Sequence, residues 1–261
     1  MDRHDFCRAL ARDAGKLAHR AFGTSTVSKK GRHDEVTAMD REVERFIRMA
    51  IEKRFPGDGI LGEEEGGVAA DRLWIIDPID GTANFARSIP HYCVSIAYAE
   101  HNTPVVGVIY DPSHDRLYSA AKGDGAWWDG NRMSVSAVDD IASATVECGW
   151  STRRTTEDYV SLISRVMNAG CAIRRAGSGA LGLVDVATGR VEGYCEMHIN
   201  SWDCAAGLLL VTEAGGRVND FFAGGGMTNG NPVFASNARL AQPLSNVIEI
   251  ALGNVSTHES E

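Results

Sequence analysis

The chain has 261 residues, a formal net charge of −9, 44% hydrophobic residues and 23% charged ones. That composition is ordinary for a globular protein long enough to bury one large core or two small ones. The acidic balance argues against a broad nucleic-acid surface, no run nears the ~18 apolar residues of a membrane span, and the polar start Met1-Asp2-Arg3-His4-Asp5-Phe6 lacks the apolar stretch of a signal peptide.

In chain order, residues 2–22 place Phe6, Leu10, Leu17 and Ala21 on one helical face. Residues 37–55 do the same with Val43, Phe46, Ile47 and Ile51, and break at Pro56-Gly57. Gly62-Glu63-Glu64-Glu65-Gly66 follows the apolar Ile60-Leu61 and, taken alone, reads as a solvated acidic turn. From 74 to 136 the pattern is of strands: Val94–Tyr98, Val105–Tyr110 and Leu117–Ala121 are short apolar runs divided by turn residues. Asp129-Gly130, after two tryptophans, reads as a hairpin tip. Helices are predicted over 155–169, 178–188, 203–214 and 243–252, with strands between. No linker, repeat or low-complexity run divides the chain. The expected architecture is a layered α/β fold, one domain over 1–261 with approximate halves at 1–140 and 141–261. The six cysteines, Cys7, Cys93, Cys148, Cys171, Cys195 and Cys204, are scattered without a CxxC pair, which predicts buried reduced thiols and a cytoplasmic protein. The histidines show no ligand spacing.

The chemistry concentrates in Trp74-Ile75-Ile76-Asp77-Pro78-Ile79-Asp80-Gly81-Thr82-Ala83-Asn84-Phe85. It reads as an apolar strand ending in two carboxylates, followed by a Gly-Thr pair that opens a new element. Hard cations prefer carboxylate oxygens, and phosphate oxygens prefer backbone N–H groups at a helix start. Both preferences are met between Asp77 and Thr82, which points to metal-assisted phosphate chemistry. A third segment, Asn200-Ser201-Trp202-Asp203 running to Glu213-Ala214-Gly215-Gly216, reads as a capped helix with Asp203 in its first turn. On its own Asp203 has a plain role there, since negative charge favours a helix N-terminus.

Together, Gly62-Glu63-Glu64, Asp77-Pro78-Ile79-Asp80-Gly81-Thr82 and Trp202-Asp203…Glu213-Ala214-Gly215-Gly216 resemble, in order and spacing, the signature motifs of the inositol monophosphatase family. That family lies within the superfamily of lithium-sensitive, Mg²⁺-dependent phosphatases, and the likeness runs from about Lys29 to Gly216. The resemblance implies a five-layered α-β-α-β-α sandwich with the metal site between its halves. It also implies hydrolysis of inositol 1-phosphate or a related small polyol or sugar phosphate, lithium sensitivity and a homodimer. It implies Glu63, Asp77 and the Ile79 carbonyl as ligands of one Mg²⁺. A second Mg²⁺ falls to Asp77, Asp80 and Asp203, with Asp77 bridging, and a third to Asp40. By the same likeness Thr82 and Glu63 orient and deprotonate the attacking water, and the Gly81 and Thr82 amides hold the phosphate. Lys29 corresponds to a loop lysine, Gly177-Ser178-Gly179 to a segment whose backbone approaches the substrate, and Glu196 to a carboxylate that receives polyol hydroxyls.

Other members of the superfamily are fructose-1,6-bisphosphatases, histidinol-phosphatases and adenosine bisphosphate nucleotidases, so these substrates stay open. So does a role from another class, because some bacterial relatives also act as binding proteins in ribosomal RNA transcription complexes.

Overall fold

Two amphipathic helices and a strand-rich stretch open the chain, and helices and strands alternate after it. The computed structural model describes residues 2–23, 27–31, 34–68 and 70–253, with segments 27–31 and 34–37 described by their backbone alone. Helix α1 (Arg3–His19) is followed by a small hairpin, β1 (Val27–Gly31) and β2 (Asp34–Thr37), and then by α2 (Ala38–Arg54). Next come β3 (Gly59–Gly62), β4 (Gly66–Gly67), β5 (Arg72–Asp80) and the one-turn α3 (Thr82–Ala86). A meander follows: β6 (Cys93–Glu100), β7 (Thr103–Asp111), β8 (Arg116–Ala121), β9 (Gly125–Trp128) and β10 (Asn131–Arg132). The second half runs β11 (Thr145–Cys148), α4 (Thr156–Asn168), β12 (Ala172–Arg174), α5 (Gly179–Ala187) and β13 (Gly193–Ile199). It closes with α6 (Ser201–Glu213), β14 (Arg217–Val218), α7 (Gly226–Asn229), β15 (Asn231–Ser236) and α8 (Ala241–Ile248).

The strands build an eight-stranded sheet in the order β10-β9-β8-β7-β6-β5-β3-β4 and a five-stranded sheet in the order β12-β11-β13-β15-β14. Strand alternation assigns side chains to separate cores. On β6, Val94, Ile96 and Tyr98 join the core beneath α1 and α2, whereas Cys93, Ala97 and Ala99 join the core facing α5 and α6. On β13 and β15, Tyr194, Val233 and Ala235 face that same central core, while Cys195 and Phe234 face a third one with residues of α4 and α8. The order is therefore helices, sheet, helices, sheet, helices, the five-layered arrangement that the resemblance implies. Each fully buried Ile, Leu or Val in these cores stabilises the fold by about 1.5–3 kcal/mol. Helix α6 lies between two sheets, and its buried run Cys204–Val211 is apolar on every side for that reason.

The predicted elements are found with small shifts. Asp129 and Gly130 both have positive φ (45° and 85°) and join paired strands at Trp128 and Asn131, which makes the expected two-residue hairpin. All six cysteines are free and buried. The last helix is shorter than the predicted 243–252. It begins at Ala241, accommodates Pro243 in its first turn, and ends when Glu249 turns left-handed at φ 64°. Ile250 and Leu252 then pack on the third core outside any helix. No helix among the described residues is long and apolar enough to cross a membrane.

Candidate active site

The strand β5 ends at Asp80, in the two carboxylates as expected, and the manner of its ending creates the site. Asp77 pairs with Ser95 and Asp80 with Cys93, so three steps along β5 are matched by two along β6. In a regular strand residues three apart point to opposite faces. The extra residue of this bulge, at Pro78–Ile79, returns Asp80 to the side of Asp77. Proline lacks the N–H that a regular ladder would need, so it suits such an irregularity.

Asp203 reaches the same spot from the first turn of α6. Ser95, the strand partner of Asp77, donates its hydroxyl to the Trp202 carbonyl at 3.3 Å and so ties the start of α6 to the sheet. Asp203 Oδ2 accepts the Asn200 N–H at 3.1 Å. One carboxylate oxygen from each of Asp77, Asp80 and Asp203 then lies within 4.8 Å of the other two. Glu63, in the turn between β3 and β4, donates its N–H to the Ile76 carbonyl at 3.2 Å, one residue before Asp77. Asp40, fully buried in the first turn of α2, accepts the Thr82 hydroxyl at 3.0 Å, and the Ile79 carbonyl lies at the same distance from that hydroxyl. Seven of the predicted residues are thus gathered at the end of β5, from four separate segments of the chain.

These carboxylates resist ionisation. Burial holds Asp77 well above the usual carboxylate range, and the charges of Glu63, Asp80, Asp203 and Asp40 push it further. Asp203 is pushed up to about 7, by burial first and Asp80 second. Two unit charges at such a separation repel by on the order of 3 kcal/mol at an effective dielectric near 20. Asp77 Oδ1 accepts the Ile79 N–H at 3.0 Å, but its buried Oδ2 has no hydrogen-bond partner among the described residues. An all-oxygen donor set with an unpartnered buried carboxylate oxygen fits a hard divalent cation, which would offset both the repulsion and the desolvation.

Asp80 differs from the other carboxylates. Burial raises its pKa, yet Ser178, Ala180 and Gly179 all donate to it and draw it back. The Ala180 N–H stands 2.8 Å from Oδ2 and the Gly179 N–H 3.2 Å from Oδ1, and the Ser178 hydroxyl makes a short bond to Oδ2. Expected to present its backbone to substrate, the Gly177-Ser178-Gly179 segment therefore directs its hydroxyl and the Gly179 amide at Asp80. The start of α5 is locked onto β5 by this carboxylate, across 98 to 100 residues of chain. Asp80→Asn would turn an NH₂ donor towards amide donors, and each unsatisfied buried group costs about 1–3 kcal/mol. We expect this variant to lose activity and several degrees of melting temperature together. An unchanged melting temperature by calorimetry would contradict the contact.

The remaining predicted residues surround this centre. Glu196, half-buried on β13, accepts the Tyr194 hydroxyl at 2.9 Å. Burial, aided by the charges of Asp203 and Asp80, pushes its pKa up to about 8. Gly81 has φ 93°, and a Cβ there would stand 3.0 Å from the His91 carbonyl, so a side chain is excluded on both counts. Lys29 falls on β1, and its side chain lies outside the described residues. Sequence reasoning missed Asn84, whose amide donates to the carbonyls of His91 (2.8 Å) and Ala176 (3.0 Å) and holds the Gly177 loop beside Gly81. It missed the Ser178 hydroxyl as well. A Ser one residue before a small-residue helix start was the available signal, because it caps Leu181 N–H at 3.2 Å. A groove of about 1150 Å³, lined among others by Lys122, Leu209, Thr212 and Phe222, lies towards the far end of α6, and its lining includes none of the predicted catalytic, substrate or metal residues.

A five-layered α/β sandwich with a cation-ready carboxylate cluster beside a Gly-Thr turn defines the class of metal-assisted phosphatases. The profile of the Inositol monophosphatase family matches residues 3–250. The chain is 37% identical over 255 residues to "Nus factor SuhB" of Escherichia coli (strain K12), covering 92% of this chain and 96% of that one. It is also 37% identical over 247 residues to "Inositol-1-monophosphatase" of Mesorhizobium japonicum, covering 93% and 91%. The crystal structure of extragenic suppressor protein suhB from Bartonella henselae superposes with a TM-score of 0.87 at 34% identity, covering 94% and 97%. The chain belongs to the inositol monophosphatase family, which places it among the phosphoric monoester hydrolases.

Proposed function

We propose that the chain hydrolyses inositol 1-phosphate, or a closely related small polyol or sugar phosphate, to the free alcohol and inorganic phosphate in the presence of Mg²⁺. The observation that carries the reading is the buried Asp77, with one oxygen unpartnered among the described residues, in a three-carboxylate cluster next to Gly81-Thr82. Glu63, Asp77 and the Ile79 carbonyl would hold one Mg²⁺, Asp77, Asp80 and Asp203 a second, and Asp40 a third. Bound there, the ions would lower the pKa of a water molecule and offset the charge of the phosphate dianion.

The chain's own groups supply the positioning. Thr82 keeps its hydroxyl beside Asp40 and, with Glu63, would orient and deprotonate the attacking water. The Ile79 carbonyl has a second lone pair besides the one facing Thr82. The Gly81 and Thr82 amides would receive the phosphate oxygens. Glu196 would accept hydrogen bonds from ring hydroxyls, with Tyr194 fixing its orientation. Gly177, Ser178 and Gly179 would act on the substrate mainly through Asp80, and Lys29, on β1, would take the place of the lysine that the resemblance assigns to it.

A phosphate-release panel tests the reading: inositol 1-phosphate, fructose 1,6-bisphosphate, histidinol phosphate and adenosine 3′,5′-bisphosphate, each with and without Mg²⁺. We expect Mg²⁺-dependent release with the highest kcat/KM for inositol 1-phosphate. A different preferred ester would replace the substrate and keep the chemistry, whereas no release from any of the four would sink the reading.

The relatives named Nus factor SuhB favour a second reading, a protein-binding regulator of ribosomal RNA transcription that retains its active site. A catalytically dead variant that still supports growth wherever the deletion does not would favour it. A homodimer in the cytoplasm accompanies both readings, and light scattering of the purified chain decides the first of these attributes.

A further inference from the structure

The carboxylate of Glu44 is fully buried on α2, and nothing in the chemistry described so far uses it. Its two oxygens face the turn that carries Glu63. Oε2 accepts the Glu64 N–H at 2.7 Å and Oε1 the Glu65 N–H at 3.0 Å. Arg48, one helical turn further on, donates its Nε to Glu44 Oε1 at 2.8 Å and makes a short bond from Nη2 to the Gly66 carbonyl. The Glu63 N–H is itself held on Ile76 of β5. The backbone of the turn is thus fixed at Glu63, Glu64, Glu65 and Gly66 in succession. Gly62 allows this close approach, because a Cβ there would overlap the Glu44 carboxylate.

We propose that Glu44 is a positioning residue that presets Glu63 for a divalent cation, with Arg48 as its counter-charge. The proposal rests on the reading of Glu63 as a metal ligand. A carboxylate on a free turn would lose conformational freedom each time an ion bound, and that loss weakens affinity. Glu44 orders the turn beforehand, at the expense of burying a charge that Arg48 and two N–H groups must satisfy. Asp40, four residues earlier on α2, holds Thr82 in a comparable way. The i and i+4 positions lie on one helical face, so a single face of α2 braces both the Glu63 turn and the Gly81-Thr82 turn.

The test compares Mn²⁺ binding by electron paramagnetic resonance in the wild-type chain, Glu44→Gln and Arg48→Met, with melting temperatures and Mg²⁺-dependent phosphate release alongside. Glutamine offers one acceptor in place of two and turns a donor towards an N–H. Partners outside a metal's direct ligands typically change affinity by about 10–100-fold. We expect Glu44→Gln to bind Mn²⁺ at least about tenfold more weakly and to need correspondingly more Mg²⁺ for half-maximal activity. At saturating Mg²⁺ its kcat should stay within about threefold of wild type. A folded Glu44→Gln chain with unchanged Mn²⁺ affinity would overturn the proposal, even with a lowered melting temperature. If Glu44→Gln does not fold, Arg48→Met decides: weaker Mn²⁺ binding supports the clamp and wild-type binding overturns it. Absence of Mn²⁺ binding by the wild-type chain would remove both the clamp and the ligand assignment. A wild-type chain that binds Mn²⁺ but hydrolyses no phosphate ester would refute only the proposed activity, and the binding comparison would still decide the role of Glu44.

Discussion

Asp203→Asn is expected to lower kcat/KM by about a thousandfold or more while leaving the fold intact, a loss of roughly 4 kcal/mol of transition-state stabilisation. The two halves of that expectation have separate causes. Asn keeps an oxygen that can accept the Asn200 N–H now bound to Asp203 Oδ2, so the start of α6 retains its cap. What it loses is one of three negative charges whose oxygens lie within 4.8 Å of one another. A site with one charge fewer holds a divalent cation less firmly and orients the ester less well. Steady-state kinetics over a range of Mg²⁺ concentrations, with calorimetry of the same preparations, would check both halves. Activity within tenfold of wild type would show that Asp203 is only a helix-end charge.

Without divalent ions, the wild-type chain should lose stability as pH rises from about 4 to about 7, and Mg²⁺ should reverse the loss. The sign follows from linkage. Burial and neighbouring charge raise the folded-state pKa of Asp203 from an ordinary 3.8 to about 7, so the folded chain holds a proton that the unfolded chain has released. The stability lent by that proton is fully present below the unfolded value and disappears as pH climbs through the folded one. A shift of roughly three pH units corresponds to on the order of 4 kcal/mol, or several degrees in the melting temperature of a chain this size. Asp77 and Asp80 are raised as well and act in the same direction. Bound Mg²⁺ favours the ionised carboxylates and so changes the sign of the slope. Melting curves at pH 5 and pH 8, in chelator and in Mg²⁺, would measure the effect against Asp203→Asn, in which this contribution is missing. Identical chelator profiles for the two chains would show that Asp203 does not carry the shifted proton.

The legible part of the fold was the part written locally. The apolar periods of α1 and α2, the two-residue tip at Asp129-Gly130 and the cap of α6 all depend on neighbours within a few residues, and they appear as predicted. The end of β5 at its two carboxylates was legible too, but not the irregularity that aligns them. Only the register against β6 shows an extra residue at Pro78–Ile79 that turns the two side chains to one side.

For the site, the amino-acid sequence by itself determined which groups are available: the acidic turn at Glu63, the Asp77-Pro78-Ile79-Asp80-Gly81-Thr82 run, and Asp203 at a helix start. Tertiary structure alone decided how those groups are used. Asp80 is shared with the donors of α5 about a hundred residues away, Thr82 with Asp40 across 42 residues, and the Glu63 turn with Glu44 from a different helix. Such pairings depend on how the layers stack and on how strands align, and no short-range preference encodes either. Burial is likewise a property of the assembled layers. An isolated Asp77-Pro78-Ile79-Asp80 would ionise like any exposed carboxylate pair; between β6 and the starts of α5 and α6 it becomes a set of charges in need of a cation.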